Sequence, residues 1–198
     1  GLFPLFLAVF AIQHEHEIAF YEDGTFVREI DKDVFLRIIK APEKFDVQLC
    51  KIEGIRSELF HHLANVLELP NKDLHLELLD LVRKLCGFVA QLPEYTGNTK
   101  RLSQSTLAVR DVILNAREPG LMLFHDLPIA CGTKKFEVGA SIPSKGIQRY
   151  VMKLKDSLDE LRMTFPYLQK RMASVIAAEF GYEGESVSAY RGKLVERA

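Results

Sequence analysis

The chain has 198 residues, of which 47% are hydrophobic and 27% charged, and its 26 Lys and Arg nearly balance 27 Asp and Glu for a formal charge of −1. This composition excludes a disordered tail, a collagen-like fibre and a strongly basic arm. It fits one or two globular domains that bury about 70% of the surface exposed by the unfolded chain.

Residues 2–12, Leu-Phe-Pro-Leu-Phe-Leu-Ala-Val-Phe-Ala-Ile, are apolar without a break. They lack the basic flank of a signal peptide and fall short of the about 20 residues that cross a bilayer, so the expectation is a buried helix and no membrane. A core-like helix at residue 2 without an initiating Met further implies a chain cut from the interior of a longer protein. Next, residues 17–21 and 26–29 flank Asp23-Gly24, where positive φ is available for a tight hairpin turn. Asp31 can cap a helix running through Lys40, which Ala41-Pro42 stops. Residues 45–50 alternate like a half-buried strand, and Ile55 to Leu67 repeat at helical spacing.

Beyond Pro70 helical periodicity dominates. One stripe runs from Leu74 to Leu92, residues 95–99 carry turn chemistry, and Ser103 caps a helix that Pro119-Gly120 closes. Residues 128–146, with three Gly and two Pro, read as a long irregular connection. Ser144 opens a helix through Leu161, and a separate helix follows with Phe165, Leu168, Met172, Val175, Ile176 and Phe180. The expected fold is mainly α: a helical bundle with a small N-terminal β-hairpin and a short strand, a winged-helix-like element. Residues 1–70 would form the small α+β element of helix, hairpin, helix, strand and helix, with residues 71–198 as the bundle packed on it.

Three cysteines, Cys50, Cys86 and Cys131, have no Cys-x-x-Cys spacing and no even count to pair, so they read as reduced thiols of a cytoplasmic chain. No phosphate-cradling loop is present, and Gly139-Ala140-Ser141-Ile142-Pro143 ends in Pro where a nucleophile elbow needs Gly. His14 and His16 could share an ion on an extended segment, but on a helix they diverge by about 200°. A solvated helix end is the preferred reading, with no metal and no cofactor.

Arg56-Ser57-Glu58-Leu59-Phe60-His61 resembles the Arg-x-x-x-x-His motif of HEPN ribonucleases. The resemblance implies that His61 acts as a general base or holds the scissile phosphate, while Arg56 neutralises charge on the phosphoryl oxygens. Ser57 departs from the amide, acid or His usual after that Arg. Charge is uneven along the chain: residues 1–53 hold 6 basic and 10 acidic side chains, and residues 134–198 hold 12 and 8. Lys145, Arg149 and Lys153 would form a basic ridge able to hold about three phosphates, a weak and salt-sensitive nucleic-acid contact.

Longer strings, Ala19-Phe20-Tyr21-Glu22-Asp23-Gly24-Thr25-Phe26, Leu92-Pro93-Glu94-Tyr95-Thr96 with Asn98-Thr99-Lys100-Arg101-Leu102-Ser103, and Leu114-Asn115-Ala116-Arg117-Glu118-Pro119, resemble the region downstream of the ATPase core in large bacterial P-loop ATPases encoded near phage-defence or restriction genes. That resemblance implies a non-catalytic accessory segment, and no functional residue comes with it. The preferred expectation is a regulatory or docking module whose partner is the rest of a larger polypeptide or another protein. A HEPN-like ribonuclease using Arg56 and His61, or a nucleic-acid-binding module, is the alternative.

Overall fold

Asp23 and Gly24 take φ of 48° and 75°. Two consecutive positive angles let a two-residue loop follow the twist of its strands, and they join β1 (Ile18–Glu22) to β2 (Thr25–Phe26). The second arm is shorter than expected, ending at Phe26. The computed structural model describes residues 2–50, 56–66, 78–136 and 144–179. β3 (Phe45–Leu49) pairs with the other edge of β1, giving an antiparallel sheet of order β2-β1-β3 with Ile18 opposite Leu49 and Phe20 opposite Val47.

Alternation sends the residues of β1 to two different apolar clusters. Ala19 and Tyr21, with Phe26, enter the main core. Ile18 and Phe20 meet Ala11 of α1 (Phe3–Gln13) and Val34 and Ile38 of α2 (Lys32–Lys40) in a second, smaller cluster. Asp31 caps α2 as expected, its Oδ1 accepting the Val34 amide at 2.8 Å. Arg37 Nε then donates to Glu22 at 2.9 Å, tying α2 to the hairpin.

Two expectations about this layer need correction. α1 is helical but not buried: Ala11 is covered and Pro4, Leu7 and Ala8 are partly covered, while Leu2, Leu5, Phe6, Val9, Phe10 and Ile12 are 44% to 68% exposed. A helix that is apolar all round has only one side against α2, so its remaining side meets solvent. Likewise β3 is not half-buried, for Val47 and Leu49 on this edge strand are 52% and 64% exposed.

The main core is helical. α3 (Arg56–Val66), α4 (Leu78–Ala90), α6 (Gln104–Leu114) and α9 (Ser144–Glu179) bring together Leu59, Leu81, Leu85, Val109, Ile113 and Leu154, all fully buried. Each buried side chain of this size contributes roughly 2 kcal/mol. The expected helix over 74–92 is described from Leu78, and residues 67–77 lie outside the described residues.

Prolines account for most of the remaining differences from expectation. Residues 95–99 are not a plain turn, because Pro93 precedes a single helical turn, α5 (Glu94–Asn98). α6 ends at Leu114 rather than at Pro119-Gly120, since the Pro119 ring would clash with the carbonyl four residues back. Pro119 instead starts α7 (Pro119–Leu121), as suits a residue with no amide to lose. The chain continues through a π-turn, Met122–Asp126, into α8 (Leu127–Ala130), so the expected irregular stretch begins later than residue 128. Pro128 cannot donate to the Phe124 carbonyl, and the Phe136 amide takes that acceptor at 2.8 Å.

The two helices expected after Ser144 are one helix of 36 residues, about 54 Å long, that passes through Pro166. Pro166 removes one backbone amide from an exposed stretch of the helix, which continues through it. Thr164 Oγ1 bonds the Glu160 carbonyl one turn earlier at 2.6 Å. The apolar stripe is buried only as far as Leu161; Met172, Val175 and Ile176 are about half exposed.

Candidate functional site

Ser103 sits in extended conformation before α6, where its Oγ accepts the Thr106 amide at 3.3 Å. This is the cap expected of it. The same residue also reaches across to α9, because Glu160 accepts the Ser103 amide at 2.8 Å and hydroxyl at 2.7 Å, and the Thr106 hydroxyl at 2.5 Å. Burial pushes the Glu160 carboxyl up, but the bonds from Thr106 and Ser103 outweigh it and hold it below its ordinary value. Its lone pairs are committed to fastening α6 to α9.

One turn further along α6 from Thr106, Arg110, only 7% exposed, donates through Nη1 to the carbonyls of Thr96 and Thr99 at 3.0 and 2.8 Å. These are acceptors at the C-terminal end of α5, where a cation is favoured. Arg110 thereby fixes α5 and the loop that follows it.

Beside Glu160 lies a groove of about 430 Å³ lined by Tyr95, Arg101, Glu160, Met163, Thr164, Tyr167, Leu168 and Arg171. Its α9 wall uses positions 160, 163, 164, 167, 168 and 171, which recur on one side of a helix. Met163, Leu168 and the two tyrosine rings make it largely apolar, with guanidinium groups from Arg101 and Arg171. Among the described residues neither arginine has an ion-pair partner. The groove can therefore seat an apolar anchor and hold a carboxylate or phosphate beside it, in a volume typical of ligand sites.

The residues singled out from sequence lie elsewhere. Arg56 and His61 are both on α3, at positions about 140° apart around its axis, and their side chains lie outside the described residues. Lys145 and Arg149 are exposed on the first turns of α9, while Lys153 is half-buried and donates to the Gly132 carbonyl at 3.4 Å. His14 and His16 lie in a turn and reach different partners, Glu17 at 3.0 Å and Asp80 at 2.8 Å. Among the described residues no three His, Cys, Asp or Glu side chains gather as a metal site, and no helix is long and apolar enough to cross a membrane. Arg101, Arg171 and the two tyrosines escaped the sequence reading because they come from segments 70 residues apart; the Ser103 cap was the one local sign of the junction.

Searches of protein-family models, characterised proteins and solved structures give no match to this chain.

Proposed function

We propose that the chain is a non-catalytic docking module, and that the groove between α5 and α9 receives an acidic segment of a partner protein carrying an apolar anchor. The observation that supports this reading is the pair of arginines that, among the described residues, have no carboxylate partner beside an apolar trough, on a surface where the neighbouring carboxylate, Glu160, is already engaged. Arginine matches the planar carboxylate fork, so Asp or Glu on the incoming segment complements the rim. In the setting that the ATPase resemblance implies, the segment belongs to the rest of a larger polypeptide.

Protein is favoured over nucleic acid by charge. The chain as a whole is net −1 and its basic excess is confined to residues 134–198, too little to steer a long polyanion, whereas a short acidic segment needs only the two arginines of the rim. A fluorescein-labelled acidic amphipathic peptide rich in Leu and Glu should bind with a rise in anisotropy, and Arg171→Glu should weaken it by about tenfold, the worth of one charge-assisted bond. Absence of binding, equal binding to the variant, or tighter binding of oligouridylate than of the peptide would each overturn the reading.

A further inference from the structure

The arrangement of α1 is inverted relative to an ordinary surface helix. Besides Leu7, the residues turned to the protein are the compact Pro4, Ala8 and Ala11, while the bulky Leu5, Phe6, Val9, Phe10 and Ile12 face out. The six exposed side chains Leu2, Leu5, Phe6, Val9, Phe10 and Ile12 span an arc of about 160° around the helix axis. No charged residue interrupts them, since Phe3–Gln13 contains neither acid nor base. At these exposures they present on the order of 600 Å², as large as the largest apolar patch of a typical monomer.

We propose that this face is a self-association surface, on which α1 of one copy packs antiparallel against α1 of a second copy about a two-fold axis. Two such faces bury on the order of 1,200 Å², the lower bound of a stable specific interface, and exposed Val47 and Leu49 of the same layer can extend it. A face without charge cannot be repelled by its own copy, which is the requirement of an isologous contact. With the axis near residues 7 and 8, Leu5 meets Phe10 of the second copy and Phe6 meets Val9, so both sequence halves are complementary. An anionic bilayer is a poorer occupant: α1 offers no Lys or Arg to its headgroups, and Glu15 and Glu17 follow directly.

The test is sedimentation equilibrium of the full chain from 1 to 100 µM. The expected mass is twice 22.5 kDa at the upper concentrations. Phe6→Glu and Phe10→Glu, placed separately on the exposed face, should each shift the dissociation constant upward by at least about a hundredfold without changing the far-ultraviolet circular dichroism. Because neither side chain supports the core, an unchanged spectrum verifies that the variants fold. Should either variant lose its helical spectrum, Ile12→Lys on the same face replaces it, with the same shift expected. A monomer at every concentration, a dimer indifferent to these substitutions, or a monomer that floats with phosphatidylcholine vesicles would overturn the proposal, the last assigning the face to lipid.

Discussion

Glu160 on α9 accepts both the backbone amide and the hydroxyl of Ser103, at 2.8 and 2.7 Å, so the residue that begins α6 is also the residue that holds α9 in place. Replacing Ser103 with Ala removes the cap and one of the three donors to the carboxylate together. The expected cost is about 1 to 2 kcal/mol, a fall of roughly 5 °C in the melting midpoint. Glu160→Gln keeps the shape but loses the charge, and should cost about 1 kcal/mol. Because the folded carboxyl lies below its ordinary 4.5, its contribution is present above that pH and is lost as the pH falls further. Thermal melts of wild type and Glu160→Gln should therefore converge on acidification below pH 4.5.

Arg110 is a buried cation whose Nη1 serves two carbonyls of the α5 end. Met has similar length but no donor, so Arg110→Met should leave both acceptors unpaired at a cost of about 2 to 3 kcal/mol in urea titrations. Lys can reach one carbonyl but lacks the guanidinium fork, and Arg110→Lys should recover less than half of the loss. Since α5 carries Tyr95, the Met variant should also weaken the acidic peptide while leaving the spectrum of the main helices unchanged.

What was legible in the sequence was local. The Asp23-Gly24 turn and the caps at Asp31 and Ser103 are contacts within a few residues, and each formed where its chemistry predicts. Stripes such as Leu78 to Val89 announced helices with a buried side, and the mainly helical fold with a small N-terminal sheet follows from them. α1 was misjudged because periodicity carries information only when polar residues mark the outside, and residues 2–12 contain none. The break expected between Leu161 and Phe165 does not occur, and Pro166 just beyond it costs the helix only one bond, which a long and partly exposed helix can bear. The groove was illegible for a different reason: Arg101 and Arg171 meet only through the packing of α6 on α9, which no spacing rule encodes.

The stripe on α9 continues with one period from Ile147 to Val175, yet its two halves differ in what covers them. Leu154 is fully buried among the other helices, whereas Met172 is 54% exposed. Leu154→Ala should therefore cost about 3 kcal/mol, near 10 °C in the melting midpoint. Met172→Ala should change stability by no more than about 0.5 kcal/mol. Parallel denaturant titrations of the two variants separate a stripe that packs from a stripe that is merely periodic, and comparable losses would show that the outer half of α9 is held by contacts as strong as those of the inner half.

Burial governs the thiols and two phenols, Tyr21 and Tyr150, in the same direction. It pushes Cys131 from its ordinary 9.0 up to about 12, only slightly opposed by Lys153, and raises Cys86 as well. Tyr21 is pushed from 10.0 to about 12, chiefly by burial and then by the charges of Cys50 and Glu118. These groups stay protonated in the fold while the unfolded chain releases its protons, so their neutral burial stabilises fully below pH 9.0 and the benefit is lost as the pH climbs from there towards 12. Unfolding free energy measured in urea should thus be flat between pH 7 and 8.5 and decline steadily above 9. The thiolate is the reactive species, so iodoacetamide at pH 7.5 should alkylate half-buried Cys50 first and reach Cys86 and Cys131 only after unfolding. Mass spectrometry of the labelled peptides provides the order, and early modification of Cys131 would mean that the α8 end of the core opens far more readily than its complete burial allows.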